Sequence, residues 1–294
     1  MPAPTSTVSL TELTGEIGAQ LAAAHLPAGE VDIVMSQALG RSRGQIELDR
    51  LLGRAVTPHQ VARIREFAQA RSRRIPLQYL TGTAPFYGHE FAVGPGVFVP
   101  RPETELLVEL AVQQSAHYAK GLRAIDIGSG TGVIAASFAA AVPQAEVLAY
   151  EASPHAWPWL RRNLRKLAPG VRSYFGDWYE HTSQQAAASV EMVLSNPPYV
   201  PDLQVPRDPE VRLHDPAAAL YSGADGLNEI RKIATEAARL LVPGGWVIVE
   251  HTEAQGAPVR DIMAAAGLES PQTHPDLTRR DRFTSALAPL RRLD

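Results

Sequence analysis

Strand-like and helix-like segments alternate from Arg123 almost to the end of this chain, and this alternation is the strongest constraint on the fold. Five short apolar segments have the composition of strands: R-A-I-D-I-G, E-V-L-A-Y-E, V-R-S-Y-F-G-D, V-E-M-V-L-S and W-V-I-V-E-H. Helical patterns separate most of them, and a further strand pair is expected near the C-terminus. Strands joined by helices in this way predict an α/β fold with a doubly wound, mostly parallel sheet.

The first part of the chain has a different pattern. Residues 8–74 place apolar side chains at helical spacing, and Thr57-Pro58 is a favourable helix start because proline is tolerated at the first helical position. The next segment is rich in glycine, proline and aromatic residues, and F-Y-G-H-E-F-A-V followed by G-P-G and V-F-V predicts a β-hairpin. Three regions are expected: a small helical bundle over 1–74, a hairpin linker over 75–102 and the α/β domain over 103–294.

Composition excludes several classes of protein. The 294 residues contain no cysteine, so disulfides and thiolate metal sites are excluded, a reducing cytoplasm is expected, and no metal site is predicted. No apolar run approaches the length of a membrane span, and M-P-A-P-T-S-T-V lacks the basic and apolar regions of a secretory signal. The formal net charge of -3 provides no global attraction to nucleic acid.

Positive charge is concentrated in the predicted bundle. Between Arg41 and Arg74, nine arginines stand against Glu47, Asp49 and Glu66, which leaves an excess of six positive charges. A solvated helical surface is the favoured interpretation of this run, and a docking face for an acidic or RNA-associated partner is the alternative.

A glycine-rich turn follows the first strand of the α/β domain. The candidate cofactor residues of this turn, D-I-G-S-G-T-G, are Asp126, Gly128, Ser129, Gly130, Thr131 and Gly132. Glycines here let the backbone turn tightly and approach a ligand, although a purely structural turn uses them as well. The dinucleotide pattern G-x-G-x-x-G would require glycine at position 133, where Val133 stands, which disfavours an NAD dehydrogenase.

Acidic residues end the second and third strands. Glu151 lies 25 residues after Asp126, where a carboxylate can accept hydrogen bonds from both hydroxyls of a ribose. Asp177 can accept from an adenine amino group, and Trp178 offers an aromatic face beside it. Each acid alone could be a helix N-cap or a solvated strand end. Because parallel strands end at one edge of a sheet, the set together predicts S-adenosylmethionine, whose binding needs no phosphate cradle.

The fourth strand ends in the turn Asn196-Pro197-Pro198-Tyr199. Each proline restricts the residue before it and fixes its own φ, so the turn is stiff. The Asn196 side-chain oxygen and the Pro197 carbonyl are then two fixed acceptors for the hydrogens of a substrate NH2 group, and Tyr199 can stack on the flat group that carries it. Such a site suits methyl transfer to a planar nitrogen and needs no dedicated general base before attack, because the proton can leave the nitrogen after the methyl arrives. A rigid loop that merely turns the chain is the structural alternative.

Adenine N6 and glutamine Nε both present such a nitrogen, and the residues alone leave both open. An N6-adenine methyltransferase usually shows a basic groove around its site. The aperiodic segment 201–226 instead carries Asp202, Asp208, Glu210, Asp215 and Asp225 against Arg207 and Arg212. A cofactor-binding scaffold without catalysis is disfavoured by the intact N-P-P-Y motif.

From about Arg74 to its C-terminus the chain resembles the release factor glutamine methyltransferases, the PrmC/HemK family. The motifs that carry the resemblance are P-L-Q-Y-L-T-G, F-Y-G-H-E-F, V-P-R-P-E-T-E, D-I-G-S-G-T-G, G-D-W, S-N-P-P-Y-V and L-V-P-G-G-W-V-I-V-E-H. The resemblance implies a helical, substrate-docking bundle before a class I (Rossmann-like) methyltransferase domain. It also implies S-adenosyl-L-methionine as cofactor and N5 methylation of the glutamine in the Gly-Gly-Gln motif of class I peptide chain release factors.

Methylation of a glutamine in a ribosomal protein is the nearest alternative. The motifs separate it poorly from methylation of a release factor, because the difference should lie in the docking surfaces of the enzyme. A cytoplasmic, monomeric enzyme is expected, with no membrane partner and no direct nucleic-acid substrate.

The resemblance also places functional residues. The family's cofactor loop falls on Gly128 to Gly132, its ribose acid on Glu151 and its adenine-pocket tryptophan on Trp178 next to Asp177. Its substrate motif falls on the N-P-P-Y turn, where all four residues, Asn196 to Tyr199, are expected to bind substrate. Asn196, Pro197 and Tyr199 are the expected catalytic residues, and Asn196 is also expected to bind the cofactor.

Arg101 and Glu103 match the R-P-x-T-E segment near the family's active site. They are expected to bind substrate, and a salt bridge from Arg101 to Glu103 or Glu105 is the alternative.

Several positions depart from the family pattern or carry no assigned chemistry. Glu151 stands where the family usually has aspartate, and Pro158 is expected to disturb the first turns of its helix. Trp157 and Trp159 are expected to pack in the core rather than line an adenosine pocket. His89 and His251 are assigned no chemistry, because the mechanism needs no base.

Overall fold

The computed structural model describes residues 8–118 and 121–290. The chain divides into two compact units, Met1–Gly82 and Thr83–Asp294. No secretory signal is expected in the N-terminal segment M-P-A-P-T-S-T-V. Its first seven residues lie outside the described part of the chain. No helix within the described ranges is long and apolar enough to cross a membrane.

The described part of the first unit is helical. Its elements are α1 (Leu10–Ala23), α2 (Glu30–Leu39), α3 (Arg43–Leu51), α4 (Pro58–Ser72) and α5 (Leu77–Thr81). Their apolar faces meet in one core that includes Leu13, Ile17, Met35 and Ile64. The unit continues past Arg74 to Gly82 because the short helix α5 contacts α4.

Three of these helices begin with a capping box. Ser9, Ser42 and Thr57 each accept a hydrogen bond from the backbone N–H three residues later, and the Glu or Gln side chain at that position reaches back. Pro58 is the first residue of α4, which confirms the helix start predicted from Thr57-Pro58.

Most arginines of the first unit are paired within it. Arg65 donates two hydrogen bonds of 2.7 Å to Glu16, buried Arg71 pairs with Glu30, and Arg41 and Arg54 both pair with Asp49. Over residues 8–82 the nine arginines face seven carboxylates, an excess of two rather than the six counted over the shorter segment. The positive face of the bundle is therefore weaker than the local run of arginines indicates.

The second unit begins with a hairpin and continues as alternating strands and helices. Its described elements are β1 (Thr83–Phe86), β2 (His89–Ala92), α6 (Thr104–Ser115), β3 (Arg123–Ile127), α7 (Val133–Ala141), β4 (Glu146–Glu151), α8 (Trp157–Leu167), β5 (Arg172–Phe175), α9 (Trp178–Ser183), β6 (Val190–Ser195), α10 (Pro209–His214), α11 (Asn228–Leu240), β7 (Leu241–Glu250), α12 (Gly256–Ala265), β8 (Glu269–Pro275) and β9 (Asp281–Leu287).

The hairpin is shorter than its sequence pattern indicated. β1 and β2 pair antiparallel around the turn at Tyr87 and Gly88, both of which have positive φ. The V-F-V segment, residues 97–99, forms no strand, although Val97 and Val99 are buried.

The seven strands after the hairpin form one sheet, as the alternation predicted. Their order is β5-β4-β3-β6-β7-β9-β8, and all pair in parallel except β9, which runs antiparallel to both β7 and β8. The chain moves outward in one direction from β3 to β5 and in the other from β6, so the strand order reverses between β3 and β6. Ligands of such sheets bind outside the carboxyl ends of the strands at this switch point.

Both faces of the sheet are covered, which explains the apolar runs of the central strands. Ala124, Met192 and Leu194 face the core shared with α6, α7 and α8. Ile125 and Val193 alternate with them and face the core shared with α11 and α12.

Two local predictions are wrong. Pro158 is the second residue of α8, where no backbone N–H is needed for the helix, so α8 runs undisturbed to Leu167. The segment 201–226, expected to be irregular, contains α10 and a 3-10 turn at Ala217–Ala219.

Candidate active site

A cavity of about 1390 Å³ opens at the carboxyl edge of the sheet, at the predicted switch point. This volume exceeds the roughly 300–1,000 Å³ of an ordinary small-molecule pocket, so a nucleoside-sized ligand and a substrate side chain fit together. The lining comes from the turns after β3, β4, β5 and β6 and from residues of the segments 96–104, 216–223 and 228–236.

The glycine turn after β3 forms part of this wall. Gly128 and Gly130 have φ of +70° and +56°, and no described atom lies within 4 Å of the position that a Cβ would take at either residue. Ser129 and Thr131 also line the cavity. A side chain at 128 or 130 would therefore strain the backbone and project into open space that a ligand can use.

Gly132 has a different role in the turn and lies outside the cavity lining. A Cβ on this residue would lie 2.7 Å from Leu160 Cδ1, and its φ is +83°. Glycine at 132 therefore allows the turn to pack closely against α8.

Asp126, which is also predicted as a cofactor residue, lies outside the lining. Its Oδ2 accepts a hydrogen bond of 3.1 Å from the Ala135 N–H and so supports the first turn of α7. Its Oδ1 is buried without a hydrogen-bond partner among the described residues. Burial raises the pKa of Asp126 to about 7.

Glu151 lines the cavity at the end of β4 and holds two turns in place. Oε2 accepts from the Gly130 N–H at 2.7 Å, and Oε1 accepts from the Ser153 N–H at 2.6 Å. The side chain is buried, which raises its pKa. Each carboxylate oxygen has a second lone pair, so Glu151 can still accept from the hydroxyls of a ligand.

Asp177 and Trp178 stand together at another part of the wall. Asp177 is the N-cap of α9 and accepts from the Tyr179 N–H at 2.8 Å through Oδ1, so the capping alternative holds for one of its oxygens. The Trp178 indole N–H donates to Glu229 Oε2 at 3.3 Å, which holds the ring in the wall.

The N-P-P-Y turn, Asn196 to Tyr199, lines the cavity next to the glycine turn. Asn196 Nδ2 donates to Thr104 Oγ1 at 3.2 Å. Thr104 Oγ1 donates in turn to Glu250 Oε2 at 2.6 Å, and the Tyr199 hydroxyl donates to Glu250 Oε1 at 3.1 Å. The Asn196 amide is therefore anchored through its nitrogen.

Arg101 lines the cavity and has an unexpected partner. It binds Asp215 at 2.9 Å rather than Glu103 or Glu105, and its guanidinium lies 5.1 Å from the centroid of the Phe98 ring. Burial raises the pKa of Asp215 to about 6 despite the opposing charge of Arg101. Glu103 precedes α6 as its N-cap residue and lies outside the lining.

Comparison with known proteins gives the family. The family model of the PrmC N-terminal domain matches residues 12–82, and that of the methyltransferase small domain matches residues 90–223. A relative from Bifidobacterium longum named release factor glutamine methyltransferase is 35% identical over 95% of this chain and 99% of its own length. The chain belongs to the release factor glutamine methyltransferase family.

Other members of the family match over similar spans. The relative from Deinococcus radiodurans is 36% identical over 95% of this chain and 98% of its own length. That from Streptomyces coelicolor is 42% identical over 76% of this chain and 80% of its own length. Both are named release factor glutamine methyltransferase, so the chain is a methyltransferase with the Rossmann-like domain and N-terminal bundle of this family.

Sequence reasoning missed three residues that build this methyltransferase site: Thr104, Asp215 and Glu250. Thr104 and Glu250 do stand in the family motifs P-R-P-E-T-E and W-V-I-V-E-H, but their contact spans 146 residues. Asp215 lies in the aperiodic segment 201–226, and its role depends on the fold that brings it to Arg101.

The remaining aromatic and histidine assignments concern residues outside the lining. Trp157 packs against the core and lies 5.4 Å from the Phe175 ring centroid, and Trp159 covers Gly94. His251 is buried and lies 2.8 Å from Thr284 Oγ1, and His89 begins β2.

Proposed function

We propose that this chain transfers a methyl group from S-adenosyl-L-methionine to the side-chain amide nitrogen (N5) of the glutamine in the Gly-Gly-Gln motif of class I peptide chain release factors. The observation that carries the proposal is that one cavity is lined by the glycine turn, by Glu151 and Asp177, and by the N-P-P-Y turn. The names of the relatives support glutamine rather than adenine as the methyl acceptor.

The residues at one part of the cavity fit the adenosyl cofactor. Gly128 and Gly130 leave room for close approach to the backbone, and Glu151 has acceptor capacity for the ribose hydroxyls. Asp177 is assigned to accept a hydrogen bond from the adenine amino group, and the fixed Trp178 ring is assigned to pack beside the adenine. When bound, the cofactor supplies a methyl group activated by a positively charged sulfur.

The residues of the N-P-P-Y turn fit the substrate amide. Asn196 Oδ1 and the Pro197 carbonyl accept one hydrogen each from the glutamine NH2 group, which orients its nitrogen toward the methyl donor. Pro198 and Tyr199 complete the wall around the side chain. Amide nitrogen is a weak nucleophile, so fixed acceptors that favour its developing positive charge and its alignment supply much of the catalysis.

Two further assignments follow from this proposal. Arg101 lines the cavity and Glu103 does not, so the substrate role is assigned to Arg101 alone. The helical first unit is assigned to docking of the release factor, in a monomeric enzyme that acts in the cytoplasm.

The test is mass spectrometry of a purified class I release factor after incubation with this protein and S-adenosylmethionine. We expect one added methyl group on the Gly-Gly-Gln glutamine. Asn196→Ala removes one of the two acceptors, so methylation should slow by about 10²- to 10³-fold. Cofactor affinity, measured by calorimetry, should fall much less, because the other predicted cofactor residues remain. A release factor with glutamine replaced by asparagine is the matched substrate control, and it should remain unmodified.

A wild-type enzyme that binds the cofactor but leaves this glutamine unmodified would overturn the proposal. The same spectra, collected on ribosomal proteins and on RNA adenines, would then identify the acceptor.

A further inference from the structure

Four polar side chains, three in the cavity wall and Glu250 behind it, form one chain of hydrogen bonds. It runs from Asn196 Nδ2 to Thr104 Oγ1 at 3.2 Å and from Thr104 Oγ1 to Glu250 Oε2 at 2.6 Å. The Tyr199 hydroxyl completes it by donating to Glu250 Oε1 at 3.1 Å. Thr104 and Glu250 are only 2% and 1% exposed, so water does not compete for these bonds.

When Glu250 is ionised, its carboxylate sets the direction of every bond in this chain. An ionised Glu250 has no hydrogen to donate, so both hydroxyls that meet it must donate. The Thr104 hydroxyl has one hydrogen, which it donates to Glu250. Toward Asn196 the Thr104 oxygen can therefore act only as an acceptor. The Asn196 amide can satisfy that acceptor only through its NH2 group, and its oxygen is left for a ligand.

The fold brings these residues together from three elements. β6 and β7 are parallel neighbours in which Ser195 lies opposite Val249. Asn196, the residue after β6, therefore lies beside Glu250, the last residue of β7. Thr104 is the first residue of α6 and fits between them. All three residues belong to the second unit.

We propose that Thr104 and Glu250 are positioning residues for methyl transfer, which hold the Asn196 carboxamide with its oxygen toward the acceptor nitrogen. This inference rests on the proposed function. A reversed amide would present its NH2 group to the NH2 group of glutamine, so two donors would meet and the substrate nitrogen would lose one acceptor. Glu250 lies outside the cavity lining and Thr104 in the lining is only 2% exposed, so each acts on the reaction through Asn196.

The decisive comparison is Thr104→Val against Thr104→Ser. Valine keeps the shape of threonine but removes the hydroxyl, so the Asn196 amide loses the acceptor that orients it. We expect kcat for release factor methylation to fall about ten- to hundred-fold, with cofactor affinity and KM within about two-fold of wild type. Serine keeps the hydroxyl and should retain kcat within about three-fold, even though it removes a buried methyl group.

Glu250→Gln provides a second variant with nearly the same shape. A glutamine amide at 250 can donate to Thr104, which releases the Thr104 hydrogen toward the Asn196 oxygen and permits the reversed amide. We expect kcat to fall while cofactor affinity, which reports correct folding, is retained. Equal kcat for Thr104→Val and Thr104→Ser, or full activity in Glu250→Gln, would overturn the inference.

A readout independent of activity separates this inference from the proposed function. In enzyme labelled with ¹⁵N-asparagine, the Asn196 side-chain NH2 hydrogens should exchange slowly in wild type and Thr104→Ser, and quickly in Thr104→Val. A wild-type enzyme with slow exchange but no methylation of the release factor would contradict the substrate and leave the amide orientation standing. Equally fast exchange in all three proteins would contradict the orientation itself.

Discussion

At the scale of single residues, Glu250 is an ionisable side chain that is almost completely buried. Burial is the main reason that its pKa rises from an ordinary 4.5 to about 7, and nearby Glu103 raises it further. The hydroxyls of Thr104 and Tyr199 and the charge of Arg282 oppose this rise. The ionised form that orders the hydrogen bonds is therefore also the form that burial disfavours.

The stability of the protein should depend on pH through this residue. Because its pKa is raised in the folded state, the contribution of Glu250 to stability is complete below about pH 4.5 and is lost as the pH rises through about 7. The advantage of Glu250→Gln in free energy of unfolding over wild type should therefore grow by up to about 3 kcal/mol between pH 4.5 and pH 8. Urea unfolding at a series of pH values measures it.

Asp126 has a similar raised pKa, but it is present in both proteins, so its contribution cancels in the difference. A difference in unfolding free energy that is the same at pH 5 and pH 8 would show that Glu250 does not titrate in this range.

At the scale of elements, one buried side chain joins three parts of the second unit. Asn163 of α8 accepts from the Ala92 N–H at 2.7 Å and donates to the Ala92 carbonyl at 2.9 Å. It also donates to the Thr131 carbonyl at 2.9 Å. The end of β2, the glycine turn and α8 are therefore held together by one amide that is 1% exposed.

Asn163→Leu keeps the branched shape and the number of heavy atoms of the side chain but removes all three hydrogen bonds. It leaves the Ala92 N–H and the Ala92 and Thr131 carbonyls without this partner in a buried place, so we expect a loss of about 2–4 kcal/mol in free energy of unfolding. Urea denaturation measures this loss, and cofactor affinity should weaken as the glycine turn loosens. Arg162→Leu, on the exposed side of the same helix, is the matched control and should stay within about 0.5 kcal/mol of wild type.

Equal unfolding free energies for Asn163→Leu and Arg162→Leu would show that the Asn163 amide does not hold β2, the glycine turn and α8 together.

At the scale of the whole molecule, the chain consists of two units with separate cores. The first is built on the helical cluster around Leu13 and Ile64, and the second on the two faces of the sheet. The residues that line the cavity all lie in the second unit. Because each unit has its own core, removing one leaves the buried contacts of the other in place.

Deletion of residues 1–82 therefore tests the docking role assigned to the first unit. We expect the remaining chain to bind S-adenosylmethionine within about two-fold of the full-length affinity. Its KM for the release factor should rise at least about ten-fold, which corresponds to ~1.4 kcal/mol of lost binding. Steady-state kinetics with calorimetry measure both quantities. An unchanged kcat/KM for the release factor would remove the docking role from the bundle.

Much of the fold follows from local patterns in the sequence. Apolar runs and helical spacing predict the parallel sheet and the bundle, because side-chain burial on two faces or one face imposes a period on the chain. Proline restricts the allowed φ and glycine widens it, whatever the tertiary contacts are. The start of α4, the glycine turn and the stiff N-P-P-Y turn can therefore be predicted from the sequence alone. Acids at strand ends share one edge of a parallel sheet, so the placement of Glu151 and Asp177 in the cavity wall also follows.

Other features depend on contacts that no local pattern contains. The sequence places Asp126 beside the glycines, but only the packed α7 shows that its carboxylate caps a helix instead of facing the cavity. The partner of Arg101 is 114 residues away in sequence, and Thr104 meets Asn196 across 92 residues. Sequence period and turn chemistry act on neighbouring residues and therefore determined the elements and the motifs. Which side chains meet at the end of two strands depends on strand order and register, and these were decided only by the tertiary structure.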